Sequence, residues 1–242
     1  PSNLNDSFEI KFNDKEIRSF VELSESLKKH YGELSQKLEK IGIYSLSKNP
    51  LSTTLWPRYA NENKGFCIEY DLDLLLSFFT SRTLTYHSNV IYEPTKKLPE
   101  LTLGDLSNEK IFYEKIMLTK DRESVYEKEY RLIFEKSGLK KIHPEAIKAI
   151  YFGEKMAKKS SEINENEISQ ECIMQKLKGR NIKYFQVHSS DEEYKFYTTE
   201  VDDLFKNAEK QVFKKNEIDQ SRINHASFKE MNITPETLKK VI

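Results

Sequence analysis

Two short stretches hold the side chains best suited to chemistry. In the first, Gly42-Ile43-Tyr44-Ser45-Leu46-Ser47 reads as a strand with hydroxyls at alternate positions. It leads through Leu55-Trp56-Pro57-Arg58-Tyr59-Ala60 into a second strand-like run, Gly65-Phe66-Cys67-Ile68-Glu69-Tyr70. Far downstream, Tyr126-Glu127-Lys128-Glu129-Tyr130-Arg131-Leu132-Ile133-Phe134 sets two carboxylates and a guanidinium at the entrance of another strand. Paired acids in such a place can face developing positive charge, as they do in glycoside cleavage. Each signal also has a plainer reading. Alternation along a strand puts both acids on one face that water can solvate, and Arg131 on that face can pair with Glu129 for under ~1 kcal/mol if exposed. Serines near strand ends satisfy local backbone groups. Trp56, the sole tryptophan, suits a core or cleft wall as well as a stacked ligand.

Composition removes several function classes. The 242 residues carry 39 Lys and Arg against 39 Asp and Glu, so the formal net charge is zero and no global field draws the chain to nucleic acid or anionic membrane. Charged residues make up 32% and apolar ones 37%, a globular composition with a heavily charged surface. Cys67 and Cys172 lie too far apart in sequence to suggest a disulfide framework or a thiolate zinc site, which fits a reducing cytoplasm. His30, His87, His143, His188 and His225 are scattered without ligand spacing, so no metal is assigned. No apolar run approaches the ~20 residues that span a bilayer. The opening at Pro1 has no leader pattern and reads as a processed or truncated start to a soluble, cytoplasmic protein.

The elements that must hold these side chains follow from periodicity. Ile17, Phe20, Val21, Leu27, Tyr31, Leu34 and Leu38 recur at helical spacing, which predicts one long or two consecutive amphipathic helices capped near Asn13 or Asp14. Residues 41–46 and 65–70 read as strands, 52–61 as a short helical turn, 71–79 as a helix with an Asp cap, and 83–92 as a strand stopped by Pro94. Residues 106–120 read as a helix carrying Lys120 at its end, 129–134 as a strand, 149–152 as a strand, 160–178 as a helix, and 182–187 with 194–199 as a hairpin. Hairpins without a glycine-rich nucleotide loop predict an α+β fold, a mixed or antiparallel sheet flanked by helices. Beyond Val201 the Lys- and Glu-rich chain, with Thr234-Pro235-Glu236 as a helix start, predicts a helical C-terminal tail.

The stretches Pro1-Ser2-Asn3-Leu4-Asn5-Asp6-Ser7-Phe8-Glu9, Tyr44 to Ser47, Leu55 to Ala60, Lys64-Gly65-Phe66, Lys120 and Tyr126 to Arg131 resemble the bacterial family called domain of unknown function 2971. Ile147-Lys148-Ala149-Ile150-Tyr151-Phe152-Gly153 is similar to that family's late strand. The resemblance implies a domain over residues 1–200 and an extension over 201–242. The chain departs from the pattern at Ser124, where the family has Trp, and at Ser7, where it has Pro. The family's first strand, with its Tyr-x-Tyr-Arg motif, would precede Pro1.

Ser45-x-Ser47 and Glu127-x-Glu129 also resemble the Arg, Ser-x-Ser, Glu-x-Glu layout of ADP-ribosyltransferases. That resemblance implies NAD as substrate. Glu129 would grip a ribose hydroxyl and face the charge that builds when nicotinamide leaves, while Glu127 would orient the nucleophile. Ser45 and Ser47 would order the ribose, Trp56 or Tyr59 would stack on a base, and Lys120 and Arg131 would stand in for the phosphate-binding arginine. The implied function is an ADP-ribosyltransferase-like enzyme or NAD glycohydrolase, a bacterial toxin or phage-defence effector with a protein or nucleic-acid acceptor. The alternatives are a non-catalytic ligand-sensing or protein-interaction domain, and a metal-dependent nuclease that has acids but no spaced ligand cluster.

Overall fold

The computed structural model describes residues 12–207 except 23, 80–82, 96 and 164–166. In chain order the first elements are α1 (Lys15–Val21), α2 (Glu25–Lys40), β1 (Gly42–Ser47), α3 (Leu55–Tyr59), β2 (Phe66–Tyr70), α4 (Leu72–Phe78), β3 (Leu84–Asn89) and β4 (Ile91–Glu93). Then come α5 (Leu103–Leu106), α6 (Glu109–Met117), β5 (Thr119–Asp121), β6 (Glu129–Phe134), β7 (Ile147–Phe152), α7 (Gln170–Lys176), β8 (Lys183–Ser189) and β9 (Phe196–Val201). Helices combined with mixed and antiparallel sheets make the fold α+β, as the sequence predicts. Among the described residues no helix is long and apolar enough to cross a membrane.

The chain divides into two compact units, Pro1–Lys48 with Thr80–Gly138, and Asn49–Phe79 with Leu139–Ile242, where the sequence reading has one domain over residues 1–200. In the first unit β6 is the centre of a three-stranded sheet, antiparallel to β1 on one side and β3 on the other. Ile133 of β6 belongs to a core with Ile17 of α1 and Phe112, Ile116 and Met117 of α6, against which Leu34 and Leu38 of α2 also pack. The helix-spaced residues of the amino-terminal segment thus form two helices. The second starts after Ser24, whose hydroxyl accepts the Leu27 N–H. Gly42 opens β1 because a Cβ there would lie 2.8 Å from Ser137 Cα, and this close approach of backbones sets where the strand enters the sheet.

The second unit is a four-stranded sheet in the order β2-β7-β8-β9, with β7 and β8 parallel around α7 and the other pairs antiparallel. Phe66, Ile150, Phe152, Ile173, Met174 and Tyr184 fill its main core. Trp56, Ala60, Cys67 and Val187 form a second cluster in the same unit.

Several expected boundaries shift for identifiable reasons. The predicted 106–120 helix is α5, α6 and then β5, so Lys120 lies on a strand. The 83–92 strand breaks at Val90, because β3 pairs with β6 while β4 turns to run parallel to β5. The 160–178 helix shrinks to a 3-10 turn at Ser160–Glu162 and α7, whose cap is Ser169. The predicted hairpin is present as β8 and β9. The helical tail expected after Val201 lies outside the described residues from position 208, and so does the opening Pro1 to Glu9 motif.

Candidate functional site

The strand register of the first unit brings the two chemical stretches together. Ser47 lies opposite Glu129 and Ser45 opposite Arg131 in the β1–β6 pairing. Strand alternation places Glu129, Arg131 and Ile133 on one face of β6. Ile133 belongs to the helix-packed core, so its two charged neighbours are buried with it. Arg131 is 0% exposed, Glu127 5%, Glu129 6% and Lys120 8%. The solvated acidic face anticipated from Glu-x-Glu is therefore a buried cluster of two carboxylates and two cations. The sign of this burial in the sequence is Ile133, two positions beyond Arg131 on the same face.

Arg131 organises the cluster. Its Nε donates to Glu129 Oε1 at 2.7 Å and its Nη2 to Glu129 Oε2 at 3.2 Å, a two-pronged pair that fixes the carboxylate plane. Its Nη1 donates at 2.6 Å to the carbonyl of Met117, the last residue of α6. A cation there meets the carbonyls that a helix leaves unpaired at its C-terminus. Lys120 Nζ donates to Glu127 Oε2 at 2.8 Å and lies 3.6 Å from Glu129 Oε2. Ser47 Oγ donates to the Glu127 carbonyl at 2.7 Å, and the Ser45 hydroxyl donates to the Glu129 carboxylate.

The two acids converge through backbone rather than strand alternation. Glu127 ends a 3-10 turn at Arg122–Glu127, Glu129 begins β6, and Lys128 between them is left-handed with φ 45° and ψ 48°. That turn lets both side chains reach Lys120.

Electrostatics follow from burial against pairing. Burial alone would raise the Glu129 carboxyl, but Arg131, Lys120 and the Ser45 hydroxyl outweigh it and hold the group below its ordinary value. Burial would lower Lys120, yet Glu129 and Glu127 hold its ammonium well above the usual lysine range. Glu129 is thus ionised at neutral pH, and the cluster sets two acidic residues against two basic ones.

One member of the site escaped the sequence reading. Tyr92 on β4 stands beside Lys120 of β5 in parallel register, and its hydroxyl accepts the Glu129 N–H at 2.8 Å. Nothing in the Val90-Ile91-Tyr92-Glu93 run signals a three-residue parallel pairing. Beyond Tyr92 and Lys120, a shallow cavity of about 320 Å³ is lined by Glu93, Pro94, Thr95, Asp121, Arg122 and Glu123. Three carboxylates against one guanidinium make that cavity unsuited to a diphosphate.

Of the two aromatic residues expected to stack on a base, Trp56 is buried away from any ligand. Trp56 is 2% exposed, packs in the second unit's core, and donates its indole N–H to the Pro50 carbonyl at 2.7 Å, so it offers no ring face to a ligand. Tyr59 is half-buried in the same unit, with the Arg58 guanidinium 5.9 Å from its ring centre. Cys67 is buried, and desolvation with Glu69 nearby pushes its thiol up to about 12, which makes it an inert core residue. No group of three or more His, Cys, Asp or Glu among the described residues is placed to hold a metal ion. No known protein family, curated protein or solved structure matches the chain.

Proposed function

We propose that the Ser45, Ser47, Glu127 and Glu129 cluster is the reaction centre of an ADP-ribosyltransferase-like enzyme or NAD glycohydrolase, of the kind used as bacterial toxins and phage-defence effectors. The observation that carries this reading is a buried cluster of two acids and two cations met by two part-buried serines, Ser45 on the Glu129 carboxylate and Ser47 on the Glu127 main-chain carbonyl. Burying four charged side chains is seldom more stable than apolar packing, so such a cluster suggests a purpose beyond stability. In the proposed reaction the C1′–N bond of NAD breaks with its electron pair going to the nicotinamide ring nitrogen. The ionised Glu129 faces the resulting ribose cation. Water or an acceptor side chain attacks C1′ and gives its proton to Glu127. Because Lys120 and Arg131 hold the carboxylates, substrate must displace part of the Lys120 contact to reach them. The family resemblance to domain of unknown function 2971 is part of the same proposal and adds no activity of its own.

A second reading, a non-catalytic ligand-sensing or interaction domain, is favoured by a different observation. Arg131 is wholly buried with Nε, Nη1 and Nη2 all donating, which is how an internal brace behaves. Incubating the 242-residue chain with NAD and measuring free nicotinamide separates the two. The enzyme reading expects release that falls at least 100-fold in both Glu129→Gln and Glu127→Gln. If the unsubstituted chain neither releases nicotinamide nor labels protein or nucleic acid in a lysate, the enzyme reading fails and the non-catalytic one is favoured.

A further inference from the structure

The hydroxyl of Tyr92 is held in place from the strand it serves. Val90 N–H donates to the Glu129 carbonyl at 3.0 Å and Glu129 N–H donates to Tyr92 Oη at 2.8 Å, so both backbone polar groups of Glu129 are read by the β4 segment. The phenol oxygen is spent as an acceptor. Its own proton has no acceptor among the described residues, while the carboxylate oxygens nearby receive Arg131, Lys120 and Ser45. Burial, with Glu129 and Glu127 close by, holds the phenol above its ordinary value against the opposing pull of the Glu129 N–H and Lys120, so it keeps that proton at neutral pH.

We propose that Tyr92 is a ligand-binding residue of this cluster, donating its hydroxyl proton to a ribose oxygen of the bound dinucleotide. The assignment rests on the enzyme reading above and adds a contact to it. The chemistry of the donor selects the acceptor. A cation has no use for an O–H donor, and a carboxylate would meet Glu127 and Glu129. Two acidic residues set against two basic ones give no net attraction to an anion. A neutral, hydroxyl-bearing sugar satisfies a phenol beside an ionised carboxylate, and the same sugar can donate in turn to Glu129.

The test compares the unsubstituted chain, Tyr92→Phe, and the chain with 3-fluorotyrosine placed at position 92, which keeps the hydroxyl. Nicotinamide release gives kcat and KM, calorimetry gives NAD affinity, and the fluorine resonance reports contact at the phenol. Tyr92→Phe is expected to raise KM for NAD at least tenfold with a smaller change in kcat. The resonance is expected to shift with NAD or ADP-ribose and stay put with nicotinamide alone. A purely structural Tyr92 lowers the melting temperature of Tyr92→Phe but leaves KM within twofold and the resonance silent, which overturns the assignment and leaves the enzyme reading intact. Absence of NAD binding and turnover in the unsubstituted chain overturns the enzyme reading, and this contact with it. If Tyr92→Phe does not fold, the fluorinated chain decides: a shift with ADP-ribose supports the contact, and a silent resonance removes it.

Discussion

At the scale of single residues, the decisive fact is that Arg131 and Glu129 are a buried pair and not an exposed one. An exposed pair of this type contributes under ~1 kcal/mol, whereas removing one member of a buried pair leaves an uncompensated charge and costs about 3–5 kcal/mol. Arg131→Met is therefore expected to destabilise by about that amount in urea unfolding. Arg131→Lys should recover only part, because an ammonium cannot make the two-pronged contact with Glu129 while also reaching the Met117 carbonyl. A loss below ~1 kcal/mol for Arg131→Met would place the pair in water. The acid side gives a second prediction. With Glu129 held below the ordinary glutamate value of about 4.3, the unfolded chain binds more protons than the folded one between the two values. Its contribution is fully present above about 4.3 and is lost as pH falls through the lower, folded value. Urea midpoints across that acid window should show a shallower decline in Glu129→Gln than in the unsubstituted chain, and equal slopes would contradict the pairing. The sequence showed these two residues and their shared face. It did not show the burial, which depends on where α1, α2 and α6 come to rest.

At the scale of elements, strands with strong local signals were readable and short or long-range pairings were not. β1, β2, β6 and the β8–β9 hairpin each carry Ile, Phe, Tyr or Val in runs bounded by glycine, proline or polar turns, so local preference and the fold agree. β4 and β5 have three residues each and exist only because they pair with one another across α5 and α6. No window of sequence contains that information, and with it went Tyr92 and the true position of Lys120. The junction between the 3-10 turn and β6 can be tested directly. Lys128 is left-handed without being glycine, a conformation that costs roughly 1 kcal/mol for an ordinary side chain and more for a β-branched one. Lys128→Gly should be neutral or stabilising by up to ~1 kcal/mol, and Lys128→Val should destabilise by ~1–2 kcal/mol. If the enzyme reading holds, Lys128→Val should also slow nicotinamide release, since it moves Glu127 and Glu129 relative to each other. Unfolding curves in which both variants match the parent would mean that the left-handed turn is not populated.

At the scale of the whole molecule, the chain passes between the two units at positions 48–49, 79–80 and 138–139. The single domain over residues 1–200 is implied by the family resemblance, and no motif in that resemblance marks these crossings. Each unit of this discontinuous chain has its own hydrophobic packing, which raises the question of whether each opens as its own cooperative unit. Gly153 offers a perturbation confined to the second unit. A Cβ there would sit 2.2 Å from the Asn63 carbonyl oxygen and 2.8 Å from that of Gly65, whose oxygen also accepts the Gly153 N–H. Backbone cannot yield as a flexible side chain would, so Gly153→Ala is expected to destabilise by ~3 kcal/mol. Hydrogen exchange read by mass spectrometry should then show faster exchange in β2, β7 and β8, with β1, β3 and β6 close to their parent rates. Arg131→Met should give the reverse pattern, because its loss is local to the first unit's cluster. Uniform loss of protection across both units in either variant would show a single cooperative fold, and the Arg131 and Gly153 effects would then have to be treated as one stability.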